Sequence, residues 1–225
     1  MSITDLTLYQ QAILLLAGLI LLTSFLMLGQ TRLLRLIVIF AIQGCLLAAA
    51  TALAAGVLAY PHLYISAILT LVLKGIVIPM LLYRLTHRMG LHRHMDTIDH
   101  PTLGMMGGIG LVVFSYYVSL PVVATSTLVT LNAIAVSLSV VLISMLLMIN
   151  RRQAVAHVVG FMSIENGLFF AAVVSTYGMP MVVELGVAFD VLVAAVVFGV
   201  FFFQIRASID SLNVDRLNTL HETEK

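Results

Sequence analysis

The sequence predicts an all-α, polytopic membrane protein with about seven transmembrane helices, and its composition is the first reason. Hydrophobic residues occupy 61% of the 225 positions and charged residues only 9%, and the mean hydropathy is +1.13. A soluble domain carries about 25% charged residues and has no water-free surface for so much apolar area. A bilayer provides that surface, and about 20 apolar residues cross its hydrocarbon as an α-helix.

Seven apolar windows along the chain are each long enough to approach such a crossing, and we number them as the first to seventh spans. The fourth is the shortest, and Gly104 and Gly108 near its start form a small-xxx-small pair that allows a neighbouring helix to pack closely. The predicted windows are Leu8–Leu28, Leu33–Ala59, Leu63–Tyr83, Leu103–Val118, Leu128–Ile149, Gln153–Tyr177 and Met181–Ile205.

The distribution of basic residues predicts the number of spans and their orientation. Segments after the first, third, fifth and seventh spans contain Arg or Lys, whereas the other three connections contain neither. Cytoplasmic connections are enriched in these residues, so the N-terminus is predicted outside and the C-terminus in the cytoplasm. Six spans would break this alternation. The residues concerned are Arg32, Arg35, Arg84, Arg88, Arg93, Arg151, Arg152, Arg206, Arg216 and Lys225.

The chain divides into three predicted parts. Residues 1–100 form three spans and a basic cytoplasmic loop, residues 101–206 form four spans, and residues 207–225 form a cytoplasmic tail. Apolar residues of the tail share one face if it is helical, which fits either a membrane surface or a partner. For the histidine-rich loop 87–100, in which His92 and His94 flank Arg93, we expect a solvated loop facing the headgroups and not a metal site.

Three charged residues lie near the middle of predicted spans: Lys74 in the third, Glu165 in the sixth and Asp190 in the seventh. A charged side chain at the bilayer centre costs about 2.5–3.5 kcal/mol on insertion scales. Such residues usually face the interior of the helix bundle and mark routes for ions or protons. Because all three lie at a similar depth, we expect them to form one buried polar layer.

The charges of this predicted layer do not balance, because one ammonium faces two carboxyl groups. If Lys74 pairs with one acid, the other is left in a low dielectric that favours its neutral form. We therefore expect it to hold a proton near neutral pH, and the three groups to titrate as a coupled set. A group that gains and loses a proton at mid-membrane is what a proton relay needs.

Neighbouring residues support a polar route. Pro79 has no N–H and clashes with the carbonyl of Gly75, which predicts a kink in the third span just after Lys74. The backbone groups freed there are tolerated only where protein or water satisfies them. In the sixth span, Asn166 follows Glu165 and supplies a further polar side chain.

Other polar residues admit two interpretations. His157, two turns before Glu165, could feed protons from the cytoplasmic side or could be a satisfied interfacial histidine. Glu184, near the outer end of the seventh span, belongs either to the route or to a solvated helix end. Gln43 in the second span fits a hydrogen-bonding packing residue better than a relay member.

No pattern in the sequence indicates an independent enzyme. A single cysteine, Cys45, excludes an intrachain disulfide framework, a cysteine-based metal site and an iron–sulfur cluster. No phosphate-binding glycine loop, metal-ligand set or nucleophile–base arrangement is recognisable. We expect no cofactor or metal in this chain, and the lipid bilayer but no nucleic acid among its partners.

The chain resembles the hydrogenase-4 component E (HyfE-like) family, membrane subunits of group 4 nickel–iron hydrogenase and formate hydrogenlyase complexes. The resemblance covers most of the chain and depends on Lys74 with Pro79 five residues later, on the run Ile164–Gly167, on Glu184-Leu185-Gly186 followed by Asp190, and on the tail segment Leu212–Asp215.

The last three spans are also similar to the K subunit of respiratory complex I and to the C-type subunit of Mrp antiporters. Arg151 and Arg152 precede Gly160 and the acidic sixth span, as in that pattern. Where the pattern has a glutamate shortly after the glycine, this chain has Met162, and Glu165 follows about one helical turn later on roughly the same face.

These resemblances imply a non-redox subunit in a membrane arm, beside antiporter-like subunits and in a bacterial or archaeal cytoplasmic membrane. Nickel–iron and iron–sulfur centres would belong to partner subunits, while Lys74, Glu165 and Asp190 would contribute to a proton-translocation or coupling axis. The alternatives are a non-conducting scaffold in the same complex, a subunit of a Mrp-type cation/proton antiporter, and a stand-alone transporter. No inverted repeat supports the last of these.

Overall fold

The described part of the protein is helical. The computed structural model describes residues 8–58, 61–88, 101–121, 128–175, 186, 188–196 and 199. Within these residues there is no β-strand, and six helices are long and apolar enough to cross a membrane. The protein is therefore a multi-pass membrane protein, as predicted. Residues 188–196 are helical and belong to the predicted seventh span, but seven crossings and their orientation remain predictions.

The observed helices begin and end close to the predicted positions. The first, second, fourth, fifth and sixth spans are Leu8–Leu28, Leu33–Leu58, Pro101–Ser119, Leu128–Ile149 and Ala154–Ser175, and the third combines an α-helix Pro61–Thr70, a π-helix Leu71–Val77 and an α-helix Ile78–Arg88. Several predictions fall outside the described residues: those for Glu184, for the tail 207–225, and for loop residues 89–100.

The second span is central in the bundle. It packs against the first, third and sixth spans, while the fifth packs against the first, fourth and sixth. Spans from the two predicted membrane parts, 1–100 and 101–206, thus lie against each other. The fourth span lies at the edge, where a Cβ atom on Gly108 would be only 2.9 Å from the Phe25 ring. The close approach expected of this glycine is present.

Two apolar clusters fill the interior and polar side chains lie between them. One cluster includes Phe40, Ile78 and Met162; the other includes Ile20, Leu47, Leu63 and Phe169. Between these positions along the helices lie the buried polar residues Ser24, Gln43, Lys74, Ser163 and Asn166. These five polar residues therefore lie between two apolar clusters.

Arg151 is a buried cation in the connection between the fifth and sixth spans. Its side chain donates hydrogen bonds to the carbonyl of Leu28, at 3.0 Å, and to that of Gln30. These carbonyls lie at and just beyond the C-terminal end of the first span, where no intrahelical partner is available and a positive charge is favoured. Burial lowers the pKa of the Arg151 guanidinium. The residue joins two connections that are distant in sequence.

Replacing Arg151 by methionine is expected to destabilise the protein by about 2 kcal/mol. Each of its two hydrogen bonds from a charged donor contributes about 1.5–3 kcal/mol, and part of this loss is offset because methionine also removes the buried Nε and Nη1 atoms, which have no partner within the described residues. Arg152, its exposed neighbour, provides the matched control, and Arg152→Met should change stability by less than about 0.5 kcal/mol. The measurement is unfolding by SDS in mixed micelles. Equal losses in the two variants would show that the carbonyl contacts do not stabilise the fold.

Candidate functional site

The third span changes its helical register at Lys74. Residues Leu71–Val77 form a π-helix, and the N–H of Ile78 donates to the carbonyl of Leu73, five residues earlier. Pro79, which lacks an N–H, then lies in the first turn of the following α-helix, where that group has no required partner. The predicted perturbation of this span thus takes the form of a π segment, a feature frequent at functional sites.

The second span approaches the π segment through Gly44. A Cβ atom at this position would lie 2.8 Å from the Cβ of Lys74 and 3.0 Å from its carbonyl carbon and oxygen. Such distances are shorter than ordinary van der Waals contact, so only glycine allows the two backbones to come this close. Gly75 has a related role, since its missing Cβ leaves room for the Cys45 thiol.

Lys74 is fully buried and lies at the middle of the third span. Its Nζ atom lies 2.8 Å from Glu165 Oε1, 3.2 Å from Asp190 Oδ1 and 2.8 Å from Asn166 Oδ1. An ammonium has three N–H donors, and three oxygen atoms surround this one. The ring of Phe169 adds a cation–π contact, with its centroid 5.5 Å from Nζ.

The two carboxyl groups contact the same nitrogen, so they lie within a few ångströms of each other. Asp190 is fully buried and the Glu165 side chain is 13% exposed. Apart from the ion pairs with Lys74, none of their carboxyl oxygens has a hydrogen-bond partner within the described residues, although all four are buried. The site therefore combines one ammonium whose three donors all have acceptors with two carboxyl groups that have no donor besides this ammonium among the described residues.

A chain of hydrogen bonds leads from Lys74 to the first span. The Asn166 amide donates to Gln43 Oε1 at 3.0 Å, and the Gln43 amide donates to Ser24 Oγ at 2.9 Å. The Ser24 hydroxyl donates to the carbonyl of Ile20 at 3.2 Å. Side chains from the first, second, third and sixth spans are thus joined in one buried chain.

A cavity of about 290 Å³ lies beside Glu165, between the sixth span and the segment around residues 186–189. Its other lining is apolar and includes Phe161, Leu168 and Phe189. A Cβ atom on Gly186 would be 2.7 Å from the Phe169 ring, so this glycine allows the segment to approach the sixth span closely. Glu165 is the acid of the site that borders this cavity.

The chain is similar to a known protein over most of its length. The protein is 31% identical over 156 residues to the "Uncharacterized protein Rv0085" of Mycobacterium tuberculosis, a match that covers 69% of this chain and 71% of that protein. The chain belongs to the Rv0085 family. Neither a protein-family model nor a solved structure matches it.

In this Rv0085-family chain, the structure brings together most of the residues selected from the sequence. Lys74, Glu165, Asp190 and Asn166 form one cluster. His157 is not part of it: the residue lies about 12 Å from Glu165 along the helix axis, and its ring contacts the Gln153 carbonyl at 3.0 Å.

Three residues of the site were not identified as members from the sequence. The sequence predicts a packing role for Gln43, and it does not single out Ser24 or Phe169. Gln43 lies near the middle of its span, at the depth of Lys74, so its depth could have indicated membership. Ser24 lies well off the middle of the first span, and no sequence feature distinguishes it from Thr23, which bonds within its own helix.

The arrangement has groups that can bind and release a proton. Two adjacent carboxyl groups can share a proton, and the ammonium compensates one negative charge. Among the described residues, no group of three His, Cys, Asp or Glu side chains is placed to hold a metal ion. The site also contains no activated nucleophile next to a base.

Proposed function

We propose that the chain is a membrane-arm subunit of a complex I-related oxidoreductase complex, of the group 4 hydrogenase or formate hydrogenlyase type. In this proposal Lys74, Glu165 and Asp190 contribute to proton translocation or coupling, and the nickel–iron and iron–sulfur centres belong to partner subunits. The supporting observation is the contact of one buried ammonium, at the middle of the third span, with two carboxyl groups. The resemblance to hydrogenase-4 component E supports the type of complex.

The cost of burying charge is the reason to prefer a functional role. Taking ions out of water costs several kcal/mol each, and apolar replacements of buried ion pairs are often as stable or more stable. A packing role alone therefore gives little reason for three charged groups in the middle of the bilayer. The surplus carboxyl group, with no donor other than Lys74 among the described residues, is a place where a proton can bind.

The type of complex is tested by copurification. The full chain, tagged and extracted from its native membrane in a mild detergent, is expected to bring down antiporter-like membrane subunits together with subunits that hold nickel–iron and iron–sulfur centres. Mass spectrometry and metal analysis identify them. Recovery of antiporter subunits without any redox subunit would instead indicate a cation/proton antiporter, and recovery of the chain alone would contradict both assignments.

The role of the charged residues is tested by Glu165→Gln in the assembled complex. Glutamine has nearly the same volume but cannot carry the proton, so we expect normal assembly and loss of redox-driven proton translocation in inverted vesicles. Thr86→Val is the matched control, because this buried hydroxyl only bonds to the carbonyl of Leu82 within its own helix. Unchanged translocation in Glu165→Gln would indicate a scaffold.

A further inference from the structure

Hydrogen-bond acceptors outnumber hydrogen-bond donors around Lys74. Its ammonium supplies three donors, whereas Glu165, Asp190 and the Asn166 carbonyl present five oxygen atoms. The four carboxyl oxygens have no hydrogen-bond donor other than this ammonium among the described residues. An added proton on a carboxyl group would provide a missing donor. A proton lost from Lys74 would enlarge the deficit.

The hydrogen-bond chain on the other side of Lys74 has a fixed direction. The Ser24 hydroxyl donates to a backbone carbonyl, so its oxygen is left to accept from the Gln43 amide. Gln43 must then present its carbonyl to the Asn166 amide, and Asn166 must present its carbonyl to Lys74. The carbonyl of Ile20 thus determines, through this chain of hydrogen bonds, that Asn166 presents an acceptor oxygen to Lys74.

The ionisable groups that face Lys74 come from two elements only within the described residues. The sixth span contributes Glu165, and residues 188–196 contribute Asp190. The second span presents only the neutral amide of Gln43, through Asn166; its Cys45 thiol lies against Gly75 and does not face the ammonium. No second cation is found beside the ammonium there, so no repulsion opposes its charge.

We propose that Ser24, Gln43 and Asn166 are positioning residues that hold Lys74 in its ammonium form, so that Lys74 is a fixed counter-charge and the mobile proton is carried by the Glu165–Asp190 pair. This deepens the proposed function and rests on it for the use of the proton. With both acids ionised the three groups carry one net negative charge. One carboxylate then takes up a proton, its new O–H donates to the other carboxylate, and the net charge becomes zero; release reverses the step.

The chain allows a direct test because it contains only two lysines, Lys74 and Lys225. In a Lys225→Arg protein labelled with ¹⁵N-lysine and reconstituted in lipid bilayers, solid-state NMR observes the Lys74 side chain alone. We expect an ammonium signal without an amine signal from mildly acidic to mildly alkaline pH. An amine signal from Lys74 within this range would overturn the proposal.

The role of the hydrogen-bond chain is tested by removing its link at Gln43. Gln43→Leu removes the group that orients Asn166. At a strongly alkaline pH, where the parent protein shows both forms, we therefore expect the ratio of amine to ammonium at Lys74 to rise by about tenfold or more. Ser24→Ala should act in the same direction and is the variant to use if Gln43→Leu does not fold. Thr51→Val, in the same span, removes a hydroxyl bonded only to Leu47 and should leave the ratio unchanged. A folded variant with an unchanged ratio would contradict the positioning role.

Infrared spectroscopy tests where the proton resides. Near neutral pH, where solvated carboxyl groups are ionised, the carbonyl stretch of a protonated carboxyl group should be present and vary with pH in the parent protein and be absent from the Glu165→Gln/Asp190→Asn double variant. A band that survives in the double variant would assign the proton elsewhere and overturn the proposal. Neither spectroscopic test uses turnover or partner subunits, so its failure is distinguishable from a failure of the proposed function.

Discussion

Replacement of Lys74 by methionine is expected to destabilise the protein by about 3–5 kcal/mol, because removing one partner of a buried ion pair leaves uncompensated charge. Here two carboxyl groups lose their only cation among the described residues, and Asn166 loses its donor. Unfolding by SDS in mixed micelles measures the loss. The neighbouring change Leu73→Met keeps apolar volume in the same segment and should cost less than about 1.5 kcal/mol.

A rescue experiment separates charge from packing. Combining Lys74→Met with Glu165→Gln and Asp190→Asn removes all three charges and keeps similar volumes, so most of the lost stability should return. If the triple variant is no more stable than Lys74→Met alone, uncompensated charge is not the cause of the loss. The methionine would then act by its shape, and the ion pairs would contribute little to the fold.

Gly44→Ala is expected to destabilise the protein by about 1–3 kcal/mol, the cost typical of overpacking in a well-packed interior. The added methyl group would meet the Cβ, carbonyl carbon and carbonyl oxygen of Lys74 at 2.8–3.0 Å. Backbone atoms cannot move aside as a flexible side chain can, so the second span must shift away from the π segment. Thermal unfolding of the purified protein in detergent measures the effect.

Gly18→Ala provides the matched control for this prediction. Gly18 is also a glycine within a span, but a Cβ atom there would meet nothing within 4 Å. Since alanine is the better helix former, this change should stabilise the protein by about 0.5–1 kcal/mol. A Gly44→Ala protein as stable as Gly18→Ala would mean that the contact between the second span and Lys74 is looser than the structure indicates.

The helices and the three charged residues could be predicted because their signals are local in the sequence. Apolar windows of sufficient length define spans whatever their neighbours, and a charge within such a window must face the interior. The approximate depth of Lys74, Glu165 and Asp190 followed from counting residues. The contact of their side chains could not be obtained by counting, because it also depends on which helices are neighbours and on how each helix is rotated about its axis.

The remaining features depend on neighbours that the sequence does not specify. The π segment was indicated only as a disturbance near Pro79, because an α-helix with a kink and a π-helix can both accommodate a missing N–H. Gly44 is important only because the backbone of Lys74 lies opposite. Arg151 counted as one of the basic connection residues, yet it is buried against the end of the first span.

That buried arginine also bears on how often the chain passes through the bilayer. Leu28 and Arg151 touch, so they lie at the same membrane face, and an even number of passages must separate them. Four spans lie between these two residues in the sequence. One of them, the fourth span of the chain (Pro101–Ser119), is the shortest and least hydrophobic of the six helices that could cross a membrane. Were it to rest on the surface while the other three passed through, the two residues would be on opposite faces. With the second, third and fifth spans crossing, the contact favours a full passage of this weakest helix as well, and the number of crossings stays a prediction.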